Sequence, residues 1–215
     1  METWHHPLDV KTIWPPAVQT DGADRLHTGL AVAWSTAAAG CGRARDRLAA
    51  ERAAACAVAR VSGCAEDAVT LSHRAGAAPI PMRRYAGTAE PLSCAVSIAH
   101  SAGRAVAAAS AARRVGVDLE RAGIVSPRQL RLFASRAERA LGIDPTVLWT
   151  LKEAAWKAFS CKSTTPFKAL TVAAVGAAPT TPAYVVFALH GDILPGSTHV
   201  FHPWPGWLAA VVEVG

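Results

Sequence analysis

Val115-Gly116-Val117-Asp118-Leu119-Glu120 is the stretch from which the rest of this chain is best read. Its apolar residues alternate with others, as a half-buried strand requires. Side chains on a strand alternate faces, so Asp118 and Glu120 project to one side while Val117 and Leu119 project to the other. Two carboxylates at that spacing repel unless a cation lies between them. Hard oxygen ligands suit magnesium, which keeps several waters and takes further ligands from substrate phosphate. Taken alone, the pair reads better as a strand end with two solvated acids.

Working outward, residues 94–99 and 104–110 read as strands separated by turns from the one at 115–119. Further upstream, residues 1–27 are irregular, 28–36 is a strand, 43–61 an alanine- and arginine-rich helix ended by Ser62-Gly63, and 67–72 a short strand. Residues 74–91, with three prolines, read as a loop. Downstream, helical periodicity covers 126–141, stopped by Gly142, and a second helix runs from Asp144-Pro145 through Phe159. Strands follow at 169–175, 183–189 and 207–214, and Trp204 and Trp207 sit in a turn with packed indoles. The order strand–helix–strands, then helix–helix–strands, predicts an α+β protein of two similar α/β halves, 1–112 and 113–215, with residues 110–114 as the crossover.

Composition bounds the function classes. Of 215 residues, 51% are hydrophobic and 18% charged, a globular balance. The net charge of +6 attracts anionic partners without choosing among nucleic acid, phosphorylated cofactors and acidic proteins. Arg43, Arg45, Arg47 and Arg52 form a basic stripe, but Asp46 and Glu51 interrupt it and no aromatic residues interleave, which argues against nucleic acid. The five cysteines include no C-x-x-C pair, so small thiols in a reducing cytoplasm are expected. The N-terminus shows no signal-peptide pattern, and no apolar run is long enough to span a bilayer. His199 and His202 are expected on an edge strand, with no third ligand in sight to make them a metal pair.

A second segment, Trp149-Thr150-Leu151-Lys152-Glu153-Ala154-Ala155-Trp156-Lys157, places Glu153 and Lys157 one helical turn apart. Alone it is an ordinary surface ion pair. A third carboxylate and an ammonium beside the D-x-E pair could instead bind a metal and a pyrophosphate together.

The two segments together resemble the 4′-phosphopantetheinyl transferases of the surfactin-synthetase-activating type, whose pattern is G-[IV]-D-x-E followed some forty residues on by W-x-x-K-E-[SA]-x-x-K. Phe133-Ala134-Ser135-Arg136-Ala137-Glu138 resembles that family's F-x-S-x-x-E, and residues 96–103, with His100, its S-x-S-H-S-x-G segment. The resemblance implies a pseudo-twofold pair of halves with the active site in the cleft between them. It implies Asp118, Glu120 and Glu153 as ligands of Mg2+, Glu153 also as the base for a carrier serine, and Lys157 as the cation facing the pyrophosphate. His100 would touch the nucleotide end of coenzyme A, the substrate, and Arg52, then Arg47, would meet its phosphates. An acyl or peptidyl carrier protein would be the partner of a cytoplasmic monomer that engages neither nucleic acid nor membrane. The chain departs from the pattern at Ala99, where the family has serine, and at Ala78, where it has a basic residue before proline; Arg74, Arg83 and Arg84 are the candidates to replace the latter. Two rival readings use the same residues: a magnesium-dependent phosphohydrolase or nuclease, and a non-catalytic module binding coenzyme A or nucleic acid.

Overall fold

Residues 22–27, 29–37, 42–74, 77–111, 114–160, 166–175, 184–194 and 196–214 are described in a computed structural model of the chain. In chain order the elements are β1 (Gly22–His27), β2 (Leu30–Thr36), α1 (Arg43–Ser62), β3 (Val69–Ser72), β4 (Ile80–Tyr85), β5 (Thr88–Pro91), β6 (Ala95–Ser101), β7 (Arg104–Ser110) and β8 (Arg114–Arg121). Then come α2 (Pro127–Phe133), α3 (Arg136–Ala140), α4 (Pro145–Ala158), β9 (Leu170–Val175), β10 (Tyr184–Leu189), β11 (Asp192–Leu194), β12 (Ser197–Phe201) and β13 (Trp207–Val214). The strands pair antiparallel in the orders β1-β2-β7-β6, β12-β13-β8, β3-β4-β5 and β11-β10-β9. The protein is mixed α+β.

Small side chains set how the layers meet. α1 is built from strong helix formers and ends at Gly63, whose φ of 72° lets its N–H reach the Ala59 carbonyl at 2.8 Å. Its buried Ala49, Ala53 and Ala57 lie in one cluster with Ala105, Ala107 and Ala109 of β7. Methyl groups on both sides allow a close helix–sheet approach. The alternate residues of β7, Val106 and Ala108, turn the other way, toward Val117 and Leu119 of β8 and Ala209 and Val211 of β13. On β13 the remaining set, Leu208, Ala210 and Val212, packs with Leu148, Leu151 and Ala155 of α4. The succession is therefore α1, first sheet, second sheet, α4. β6 runs beside β8, where Val117 N donates to Ser97 Oγ at 3.1 Å. At one corner the Arg104 guanidinium lies 5.0 Å from the Trp207 ring centre, and Trp204 and Trp207 meet edge to face, so the expected indole turn is present.

The last layer brings the acidic strand under a helix. α4 begins where Asp144 accepts from Thr146 N and Val147 N, with Pro145 at its first position. At its far end it crosses β8 so closely that a Cβ on Gly116 would overlap the Ala154 carbonyl oxygen and the Ala158 amide nitrogen. Only glycine permits that crossing.

Several expectations need correction. Residues 22–27 form β1 against β2, although the sequence there lacks the β-branched residues that signal a strand. The expected loop 74–91 contains the β4–β5 hairpin, whose turn uses Ala86 at φ 48° and Gly87 at φ 84°. That is the primed-turn conformation, written without its usual Asn-Gly signature and flanked by prolines. The single helix expected at 126–141 is two, because Ala134 is extended and Ser135 starts a new capping box with Glu138. The three-residue strand β11 was not expected; His199 does lie on β12, an edge of its sheet, but buried, and His202 follows that strand. The crossover residues 112–113 and the irregular residues 1–21 lie outside the described residues. Among the described residues no helix is long and apolar enough to cross a membrane.

Gly116→Ala is expected to lower unfolding free energy by about 3 kcal/mol, the upper range for overpacking, because both obstacles are backbone atoms. Urea unfolding of the variant would measure this, and a midpoint unchanged from wild type would show that the crossing tolerates a methyl group.

Candidate functional site

The alternation of β8 sends Gly116, Asp118 and Glu120 toward α4 and Val115, Val117 and Leu119 into the core between the sheets. Asp118 is only 7% exposed. Its Oδ1 accepts from Lys157 Nζ at 2.8 Å, and the same ammonium donates to the Val117 carbonyl at 2.9 Å. Lys157 therefore reaches back to β8 instead of closing a helical pair with Glu153. The other oxygen, Asp118 Oδ2, is buried with no hydrogen-bond partner among the described residues. Glu120 is half-buried, and its Oε1 accepts from Trp149 Nε1 at 3.2 Å. That indole is fixed by neighbours: Phe133 at 5.0 Å edge to face and Phe167 at 5.2 Å, centre to centre. Glu153 stands half-buried on α4, one turn before Lys157.

The electrostatics bind these groups into one unit. Burial pushes the Asp118 carboxyl above its usual range, and Lys157 offsets only part of that. Burial likewise raises Glu120, with the Asp118 charge adding to it. Glu153 is raised first by burial and then by Asp118 and Glu120, with Lys157 opposing. Three carboxylates thus feel one another, and one lysine is too little positive charge for all of them.

A cation would relieve that imbalance. Among the described residues no three His, Cys, Asp or Glu side chains stand close enough to share one ion as they are placed. The donor set nevertheless fits a hard divalent cation, being all carboxylate oxygen, and Asp118 Oδ2 is a buried acceptor left unused.

Sequence reasoning passed over a pair beneath this site. Lys152 is fully buried, and its Nζ donates to Glu138 Oε1 and to the Phe133 carbonyl, both at 3.0 Å. Glu138 also accepts from Ser135 N at 2.7 Å and from Val172 N at 3.0 Å. Burial lowers the Lys152 ammonium from its usual range and Glu138 counters it. The pair ties α3, β9 and α4 together next to Glu153. The charged positions inside F-x-S-x-x-E and W-x-x-K-E were the available signal.

His100 lies at the end of β6, exposed, with Nδ1 3.9 Å from Asp46 Oδ2; the other Asp46 oxygen accepts from Gly103 N. It borders a cleft of about 670 Å³ together with Arg43, Arg47 and His73, over an apolar floor that includes Leu71 and Ile98. Arg47 Nε also donates to Glu51 Oε1 at 2.7 Å. Arg52 is elsewhere: it lines a separate cavity of about 420 Å³ with Arg60, Trp34 and Ser35. Five residues of helix turn the two arginines roughly 140° apart, so one ligand group cannot meet both. Of the two arginines, the structure brings Arg47 to His100. None of Asp118, Glu120 and Glu153 lines either cavity.

No protein-family model matches the chain, and no curated protein matches it.

Each raised carboxyl means that the folded protein holds a proton there more readily than the unfolded chain does. The stability so gained is present below the ordinary carboxylate range and lost as pH rises through the folded values. Glu153→Gln removes that loss for one group. In EDTA the variant is expected to melt higher than wild type at about pH 7.5, with the gap closing toward about pH 4. Thermal melts at both pH values would read it; a variant that melts lower at the higher pH would contradict the crowding of like charge.

Proposed function

We propose that this chain transfers the 4′-phosphopantetheine arm of coenzyme A to a serine hydroxyl of an acyl or peptidyl carrier protein, releasing 3′,5′-ADP, with Mg2+ as its metal. The observation that carries the reading is the Asp118–Lys157 contact between β8 and α4, with Asp118 Oδ2 buried and unused, on the two segments whose pattern resembles that family. Phosphoryl transfer asks for positioning and charge neutralisation more than for a covalent catalyst.

In this reading Asp118, Glu120 and Glu153 would hold the ion, and the Trp149 indole fixes one oxygen of Glu120. When bound, the ion supplies positive charge for the pyrophosphate oxygens. Glu153, whose raised proton affinity suits a base, takes the proton as the serine oxygen bonds to the phosphorus bearing the pantetheine arm. The bond from that phosphorus to the bridging oxygen breaks, and 3′,5′-ADP leaves with the bonding pair. Lys157, which lies beside Asp118, is read as the group that neutralises charge on the leaving group. His100 and Arg47 are read as meeting the nucleotide end.

Several features support the wider reading. α1 on β2, β7 and β6 and α4 on β8 and β13 each set one helix on antiparallel strands, as two related halves, 1–112 and 113–215, would. We read these halves as pseudo-twofold mates enclosing the active site, and the protein as a cytoplasmic monomer. The net charge of +6 suits an acidic carrier.

Incubated with coenzyme A, Mg2+ and an apo carrier protein, the chain is expected to add one phosphopantetheine per carrier by intact-mass spectrometry. Asp118→Ala is expected to abolish the addition while keeping a folded circular dichroism spectrum. Undiminished transfer by that variant refutes the metal assignment. Hydrolysis of simple phosphodiesters without any acceptor points to the phosphohydrolase reading instead.

A further inference from the structure

We propose that the cavity between α1 and the β1–β2 pair is a ligand site in its own right, which binds a small organic monocarboxylate at Arg52. It opens on a different face of α1 from the cleft at His100 and does not depend on the transferase reading.

Helical spacing builds one wall. Arg52, Cys56 and Arg60 follow one another at intervals of four on α1, so they share a face, and all three line the cavity. Gly22, Trp34 and Ser35 come to it from β1 and β2, and Glu66 from the short turn that follows α1. The volume of about 420 Å³ is in the range of small-molecule sites.

Charge selects the ligand group. Two guanidinium groups and one carboxylate leave the lining with one positive charge in excess. Arg60 and Glu66 both bear on the Cys56 thiol, which burial pushes up, so the thiol stays neutral and the two opposite charges offset each other around it. The excess therefore belongs to Arg52. Its neighbours one helical turn away are Leu48, Ala49, Ala55 and Cys56, none of them acidic, and Glu51 is bonded to Arg47.

A second donor in the wall lacks an acceptor. Trp34 is 6% exposed, and its Nε1 is buried with no hydrogen-bond partner among the described residues. A side chain at position 22 would collide with the nitrogen edge of that ring, and glycine spares it. An indole N–H withdrawn from water without an acceptor is costly, and a ligand oxygen relieves it. A carboxylate offers two oxygens, one for the guanidinium and one for the indole, at a single negative charge. A phosphate dianion would exceed the charge of the lining and be repelled by Glu66.

Isothermal titration of 2-naphthoate, its neutral amide and 2-naphthyl phosphate into the full-length chain tests this. Naphthoate is expected to bind at one site per chain, about ten-fold more tightly than either of the others. Arg52→Gln is expected to weaken naphthoate about ten-fold and the amide by under about two-fold. Arg84, exposed on β4, lines neither cavity, and Arg84→Ala is expected to leave both constants unchanged. Arg52 is exposed, so an unchanged melting temperature checks that its variant folds. In 15N-labelled protein the Trp34 indole resonance, assigned as the one lost in Trp34→Phe, is expected to shift as naphthoate is added. Tighter binding of the phosphate, equal weakening by the two arginine variants, an unmoved indole resonance, or no naphthoate binding by wild type each overturns the assignment. Transfer to a carrier protein is unaffected by any of these outcomes, so the two readings fail separately.

Discussion

The crossing of α4 over β8 at Gly116 is the contact on which the candidate site depends. Because no side chain separates the strand from the helix backbone there, Asp118 is carried into a nearly dry position, and Lys157 can reach both its carboxylate and the Val117 carbonyl. A wider crossing would let water in and return Asp118 toward ordinary behaviour. The strand supplies two acids at fixed spacing, the helix supplies one acid and one ammonium, and glycine sets the gap between them.

Burial has a cost that the surrounding structure offsets. Asp118, Glu120 and Glu153 each resist ionisation because they are partly removed from water, and the Asp118 charge adds to this at Glu120 and Glu153. The fold holds them there through a rigid frame: the aromatic group around Trp149, and the Lys152–Glu138 pair, in which both Glu138 oxygens accept hydrogen bonds and Lys152 donates two. A buried pair of that kind contributes less through net attraction than through the penalty for removing either partner, which fixes how α3 and β9 sit against α4.

What could be read from the sequence follows the range of the interactions involved. The alternation of β8, the caps of α4, the helical run of α1 and the strands β7 and β13 are local properties, and periodicity found them. The face shared by Asp118 and Glu120 is of the same kind. β1 and the β4–β5 hairpin were missed because their strands are made by neighbours: β1 by the edge of β2, and β5 by a two-residue turn at Ala86-Gly87 without its usual residues. The break at Ala134 was hidden because the capping box of Ser135 and Glu138 lies inside an otherwise helical pattern. At the site, the position of Glu153 one turn before Lys157 on α4 was legible through helical spacing. The partner of Lys157, the buried Lys152–Glu138 pair, and the choice of Arg47 over Arg52 beside His100 depend on long-range packing.

The central claim is that the carboxylates of β8 and α4 take up a single divalent ion. Titrating the chain with Mn2+ in place of Mg2+, and following free Mn2+ by electron paramagnetic resonance, measures that directly. One ion per chain, lost when Asp118 is replaced by alanine, is the predicted result. Absence of binding by the wild-type chain, or binding that survives the replacement, would contradict it.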